Sequence, residues 1–147
     1  MKLTLYITAM IYSIGLLNAQ VAFNTESNDS TNIYFQAFNK YCIERNQITF
    51  LVEENDLTTK SLPSEINGQK IELINASKLQ SLVKKGKQID LIRIVPLRVK
   101  DGEFFVNIIV FKVEGKRRQL NLINQGGVSV VFNYNEALKT FVFKELR

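Results

Sequence analysis

Cys42 is the only thiol in a chain of 147 residues that contains no histidine. A thiol acts as a nucleophile only as thiolate, which needs a neighbouring base, a cationic setting or a helix N-terminus. Without imidazole anywhere in the chain, a cysteine–histidine pair is excluded outright. The stretch NKYCIERN, residues 39–46, places Cys42 late in an expected helix, where the dipole disfavours an anion. Lys40 and Arg45 are close in sequence but project from other faces. Cys42 therefore reads as a packing residue. One thiol also cannot form an internal disulfide or build a zinc centre, so neither a metal nor a cofactor is expected.

The carboxylates offer less than their clustering suggests. Glu53, Glu54 and Asp56 gather where an expected strand ends, but no Asp-x-Asp-x-Asp-Gly loop is present to fold them around a calcium ion. They read as a solvated strand end. No two acidic residues are singled out as the pair that glycoside hydrolysis uses. Ser81-Leu82-Val83-Lys84 fits the S-x-x-K pattern of penicillin-binding enzymes, and Lys139-Thr140-Phe141 faintly resembles their K-T-G element. Phe141 stands where that element needs glycine, and no S-D-N element exists. The match fails in context.

The basic residues are the remaining constellation. Arg93, Arg98 and Lys100 lie along one expected strand region, and Lys112, Lys116, Arg117 and Arg118 follow across a hairpin. Strict alternation would set Arg93 beside Leu91, Val95 and Leu97, facing the core. A bulge at Pro96 would instead turn Ile92 and Ile94 inward with Leu97 and Val99, and release Arg93. The bulge is preferred because it leaves no guanidinium in the core. Arg93, Arg98 and Lys100 then form a shallow patch for an anionic partner, set against the plainer reading of a solvated face with edge-protecting charges.

These side chains must be held by ordered elements, and the N-terminus is not one of them. MKLTLYITAMIYSIGLLNAQ carries one early lysine, an apolar run to about Leu17 and a small residue at Ala19. That is the layout of a secretory signal peptide spanning residues 1–19, with cleavage after Ala19. The apolar run is short for a membrane span and no basic stop-transfer cluster follows it, so no transmembrane segment is expected in the mature chain. Residues 20–30 form a polar, aperiodic and flexible lead-in.

Residues 31–147 are expected to fold as a single domain. Ser30 or Thr31 caps a first helix whose apolar stripe is Tyr34, Ala37, Phe38, Tyr41 and Cys42. ITFLVEEN and KIELI read as strands, separated by residues 55–69 with Pro63 and the turn-forming Asn67-Gly68. Asn75 caps a second helix with Ala76, Leu79, Leu82 and Val83 on one face, and Lys84, Lys85 and Gly86 close it. From Ile89 onward nearly everything reads as β. IDLIRIVPLRV and EFFVNIIVFKV flank Asp101-Gly102, a strong hairpin signal. RQLNLIN, VSVVFNY and KTFVFKEL supply three further strands, with turns at Gln125-Gly126-Gly127 and at Asn135-Glu136-Ala137-Leu138.

The fold class is α+β: a curved, mainly antiparallel sheet of about six to seven strands packed against two helices. The element order resembles small exported domains of the Bacteroidota and, more loosely, cystatin-like or NTF2-like sheets that cradle a helix. That resemblance implies a fold and no functional residues. A lone cysteine without disulfides favours the bacterial periplasm or secretion from a bacterium. The formal net charge of +5 is mild, and no sharp basic cluster of the kind nucleic acid selects is present, so no nucleic-acid partner is expected. Functionally, the chain reads as an exported, non-catalytic binding or interaction module for a protein, glycan or small ligand. The alternative is a small pocket enzyme, a hydrolase or isomerase, using carboxylate, tyrosine or lysine groups.

Overall fold

A computed structural model describes residues 31–83, 87–116 and 119–147. The signal-peptide and lead-in segments, Ser30, the Lys84-Lys85-Gly86 helix end and the Arg117-Arg118 pair lie outside the described residues. The fold is α+β, and the described residues form two helices and a mixed, mainly antiparallel open sheet of eight strands.

Helix α1 (Ile33–Ile43) is capped one residue later than the sequence suggested. Asn32 Oδ1 accepts from the Tyr34 and Phe35 amides at 2.9 and 3.3 Å, serving donors that an α-helix leaves unpaired at its start. Strands β1 (Thr49–Glu53), β2 (Glu65–Ile66) and β3 (Gln69–Ile74) follow. Asn67 and Gly68 both have positive φ, 52° and 77°, which is the turn that joins β2 to β3 in a two-residue hairpin. This hairpin also clamps α1: Gln69 Nε2 donates to the carbonyls of Cys42 and Arg45 at 3.2 and 2.7 Å.

Helix α2 (Ala76–Val83) begins as expected, with Asn75 Oδ1 accepting from the Lys78 amide at 2.9 Å. Strands β4 (Ile89–Ile94), β5 (Arg98–Lys100), β6 (Glu103–Lys116), β7 (Gln119–Asn135) and β8 (Thr140–Leu146) complete the chain. Asp101 and Gly102 make the expected tight turn between β5 and β6, with φ of 53° and 79°.

The sheet order is β2-β3-β1-β4-β6-β7-β8, with β5 also paired to β6. The sheet is mainly antiparallel, as expected, from β4 through β8. In the structure β1 runs parallel to both β3 and β4, and the chain from β3 crosses through α2 to reach β4. The spacings after Ile89 are indeed too short for a helical crossover. The one that exists lies before them, where α2 gives the chain the length to return parallel.

This crossover puts the helices on opposite faces. Phe50, Val52, Ile71, Ile92, Ile94, Val106 and Ile108 pack with Ala37, Phe38, Tyr41 and Cys42 of α1. Their strand neighbours Ile74, Leu91 and Val113 pack with Leu79 and Val83 of α2. At Gly115 α2 comes close to the sheet: a Cβ there would stand 2.9 Å from the Val83 carbonyl oxygen.

Pairing slips by one residue around Pro96, as the expected bulge requires: Ile94↔Ile108 is followed by Arg98↔Phe105, four steps along β4 and β5 against three along β6. Strand β4 runs regularly to Ile94, the Val95 amide still donates to the Asn107 carbonyl at 2.8 Å, and β5 resumes the lane at Arg98. Ile92 and Ile94 face α1 with partly buried Leu97, while Val99, expected inward, is 61% exposed. Leu91 is fully buried on the α2 face. Arg93 shares that face, but the cluster under α2 stops at Leu91 and Phe111, so the guanidinium emerges past its edge.

The Gln125-Gly126-Gly127 turn is also corrected. Strand β7 runs straight through these residues, and pairing with β6 jumps from Ile109↔Gly127 to Phe111↔Asn124. One additional residue of β7 is thereby accommodated as a bulge, Gln125 and Gly126 standing against Val110, with Gly126 at φ 98°. The expected turn at residues 135–138 is present, and Asn135 Oδ1 accepts from the Leu138 amide at 3.0 Å.

Candidate functional site

Cys42 is fully buried beneath α1. Burial alone pushes its thiol up to about 12, so it stays protonated and serves as packing. Ser81 is spent within its helix, its hydroxyl donating to the Lys78 carbonyl at 2.7 Å. Among the described residues no three Cys, Asp or Glu side chains converge in a way that could hold a metal ion.

The three basic residues share a face. Arg93 pairs in register with Ile109, Arg98 with Phe105 and Lys100 with Glu103. These β6 positions alternate with Phe104, Val106 and Ile108, which face α1, so all three cations project on the α2 face. Their situations differ. Arg93 is held by Glu53 through Nε and Oε2, and through Nη2 and Oε1 at 2.9 Å, and lies 4.8 Å from the Phe111 ring centroid. The bond to Glu53 raises its pKa further. Arg98 and Lys100 are exposed, with no ion pair among the described residues.

Helix α2 covers only part of this face, and the described residues line two recesses beside it. The first, of about 280 Å³, lies at the carboxyl ends of the adjacent parallel strands β1 and β4 and is lined by Glu53, Glu54, Asn55, Arg93, Val95 and Pro96. The chain leaves β1 toward β3 and leaves β4 toward β6, the arrangement that opens a crevice between parallel strands. The second, of about 210 Å³, lies over β5 to β8, with Phe105, Ser129 and Val131 among its lining and Lys100, Glu103 and Arg147 around it. Ser129 Oγ donates to Asn107 Oδ1 at 2.7 Å beside it.

Glu103 organises the second recess. Arg147 forks onto both its oxygens at 2.6 and 2.8 Å, and Lys144 Nζ adds a contact at 2.7 Å. These bonds, Arg147 first, hold the Glu103 carboxyl down at about 2. Because the folded pKa is depressed, the contribution to stability is present above the ordinary carboxylate value and is lost as pH falls toward about 2. Acid titration between about pH 5 and 2 is therefore expected to loosen β8 before the rest of the sheet, seen as faster amide exchange at Arg147, whose amide donates to the Ser129 carbonyl at 3.0 Å. Glu103→Gln should remove the pH dependence in that window. Unchanged acid response in the variant would place it elsewhere.

The structure thus keeps Arg98 and Lys100 together, removes Arg93 into an ion pair, and adds Glu103, Lys144 and Arg147. The added residues left no local signal. Their convergence depends on the β6–β7–β8 register, which spans more than 40 positions of sequence.

Compared with known proteins, the chain shows no significant match to any family model, curated protein or solved structure. Among the described residues no helix is long and apolar enough to cross a membrane.

Proposed function

We propose that the protein is an exported, non-catalytic binding module of one domain, and that it takes an acidic glycan on the half of its sheet that α2 leaves open. The observation carrying this reading is the pair Arg98 and Lys100: exposed, on one face, without ion pairs among the described residues, and next to a shallow recess with an apolar floor. A shallow site of this kind suits an extended ligand, and the bulges in β7 and β8 would curve the sheet beneath it. Export rests on the layout of residues 1–19, with the periplasm or the outside of a bacterial cell as destination, and predicts a mature chain starting at Gln20.

The test is a calorimetric titration with a uronic-acid oligosaccharide and with a neutral oligosaccharide of equal length. Only the acidic ligand should bind, more weakly as salt rises. The double substitution Arg98→Glu and Lys100→Glu should weaken it about tenfold or more, since each reversed charge near the ligand costs roughly 1 kcal/mol. Equal binding of the neutral sugar, or an unaffected variant, would refute the reading. A second reading, a small hydrolase or isomerase, draws on Glu53 and Glu54 beside Arg93 at the carboxyl ends of β1 and β4. Ligand turnover during the titration would favour it.

A further inference from the structure

The two borders of the sheet are unequal. On one side lies β2, only two residues long and carrying Glu65. On the other lies β8, seven residues long and paired, among the described residues, only with β7. An outermost strand presents a row of backbone donors and acceptors to any extended chain. Proteins blunt such borders with proline, lysine, bulges or brevity. β8 has a bulge and a lysine at Lys144, where pairing jumps from Val131↔Glu145 to Phe132↔Phe143. Thr140 to Phe143 carries no such device.

The same corner concentrates exposed apolar side chains. Val142 is 44% exposed, Tyr134 46% and Leu138 69%. Phe141 and Phe143 lie on the α1 face, in edge contact with Tyr134 and Phe132, and Val142 alternates to the other side.

We propose that β8 is a homodimer interface, two copies pairing antiparallel along this border to make one continuous sheet. The pattern of residues selects the second copy as occupant and one register for it. Strands related by a two-fold axis normal to a sheet must centre on a residue, because residues directly opposite share a face. Centred on Lys144, the register opposes two lysines. Centred on Phe143, it sets Phe141 against Glu145 and Val142 against Lys144. Centred on Phe141, it sets Phe143 against Lys139 and Leu138 against Lys144. Centred on Val142, it opposes Val142 to itself, Phe141 to Phe143 twice and Thr140 to Lys144 twice. Of these registers only the last matches apolar with apolar and sets no charged side chain against Val142 or a phenylalanine ring. It also keeps the two Arg98 and Lys100 pairs on one face, which follows from the axis and does not depend on what they bind.

The test begins with sedimentation velocity on the protein as recovered from the cells that produce it, followed over roughly two decades of concentration. A concentration-dependent dimer is expected. Val142→Asp opposes two like charges at the axis and should weaken the dimer about tenfold or more, with unchanged circular dichroism. Val142→Cys should cross-link copy to copy under added oxidant, because the axis brings the two side chains face to face. Val99→Cys, exposed on β5, serves as the control. Buried Cys42 does not interfere. A monomer throughout that range, or equal cross-linking at positions 142 and 99, would overturn the proposal.

Discussion

Phe38→Ala is expected to destabilise the protein by about 3–5 kcal/mol, the cost of deleting a fully buried aromatic ring and leaving a cavity. Phe38 is wholly inaccessible to solvent. Its ring stacks on Tyr41 at 5.8 Å and meets Phe50 edge-on at 5.8 Å, while Tyr41 and Phe50 lie 6.0 Å apart. This triangle joins α1 to β1, and β1 sits between its two parallel neighbours. The lone thiol makes the effect measurable without a tag. Cys42 lies one turn along the same face, and it reacts only when α1 leaves the sheet. Its labelling should accelerate by roughly 10²–10⁴-fold in the variant, in step with the loss of stability. The wild-type thiol should resist alkylation at neutral pH. Above about pH 9 an unfolded chain gives up the thiol proton that the folded chain, with its thiol near 12, retains, so stability falls as pH rises through that range. Fast labelling of the native protein, or equal rates in both, would mean that α1 is not anchored by this triangle.

The features legible in the sequence were those decided within a few residues. Asn75 caps α2 because its side chain reaches the amide three positions on, and Asn67-Gly68 and Asp101-Gly102 make tight turns because they tolerate positive φ. Both helices and their buried stripes follow from a period of 3.6. What failed needed partners distant in sequence. The apolar run at Leu91 and Ile92 reads as a conflict between two faces if only one face is covered. It ceases to be one once a crossover carries α2 to the other side. Arg93 is accommodated by Glu53, 40 positions away, which no local pattern announces. The layout also departs from sheets that cradle a helix on one side, since β6 alternates Val106 and Ile108 toward α1 with Phe111 and Val113 toward α2. Legibility at the site split in the same way. Arg98 and Lys100 stand out by charge on an exposed strand, whereas Glu103 and Arg147 meet only because β7 lies between them.

Gly127→Ala is expected to cost about 1–3 kcal/mol or more, and to cost more than Gly126→Ala, although Gly126 has the rarer backbone. At Gly126 the φ of 98° opposes any side chain, yet a Cβ there meets nothing within 4 Å. Alanine at that position pays for backbone conformation alone, about 1 kcal/mol. At Gly127 the obstacle is steric. A Cβ would stand 2.3 Å from the Ile108 carbonyl oxygen and 3.0 Å from the Ile109 Cα. Both belong to backbone, so no side chain can swing aside, and β6 itself must shift. Ile108 is fully buried under α1, so a shift there disturbs the core as well as the ladder. Urea unfolding of the two variants ranks the costs, and amide exchange at Ile108 and Ile109 should quicken only in the Gly127 variant. The ranking separates two geometries. If residues 125–127 formed a surface turn between two strands, Gly126 would be the sensitive position and Gly127 nearly indifferent. In a bulge pressed against β6 the order reverses, because the missing side chain at Gly127 is what lets β7 run unbroken along β6 and carry Val130 and Phe132 into the core.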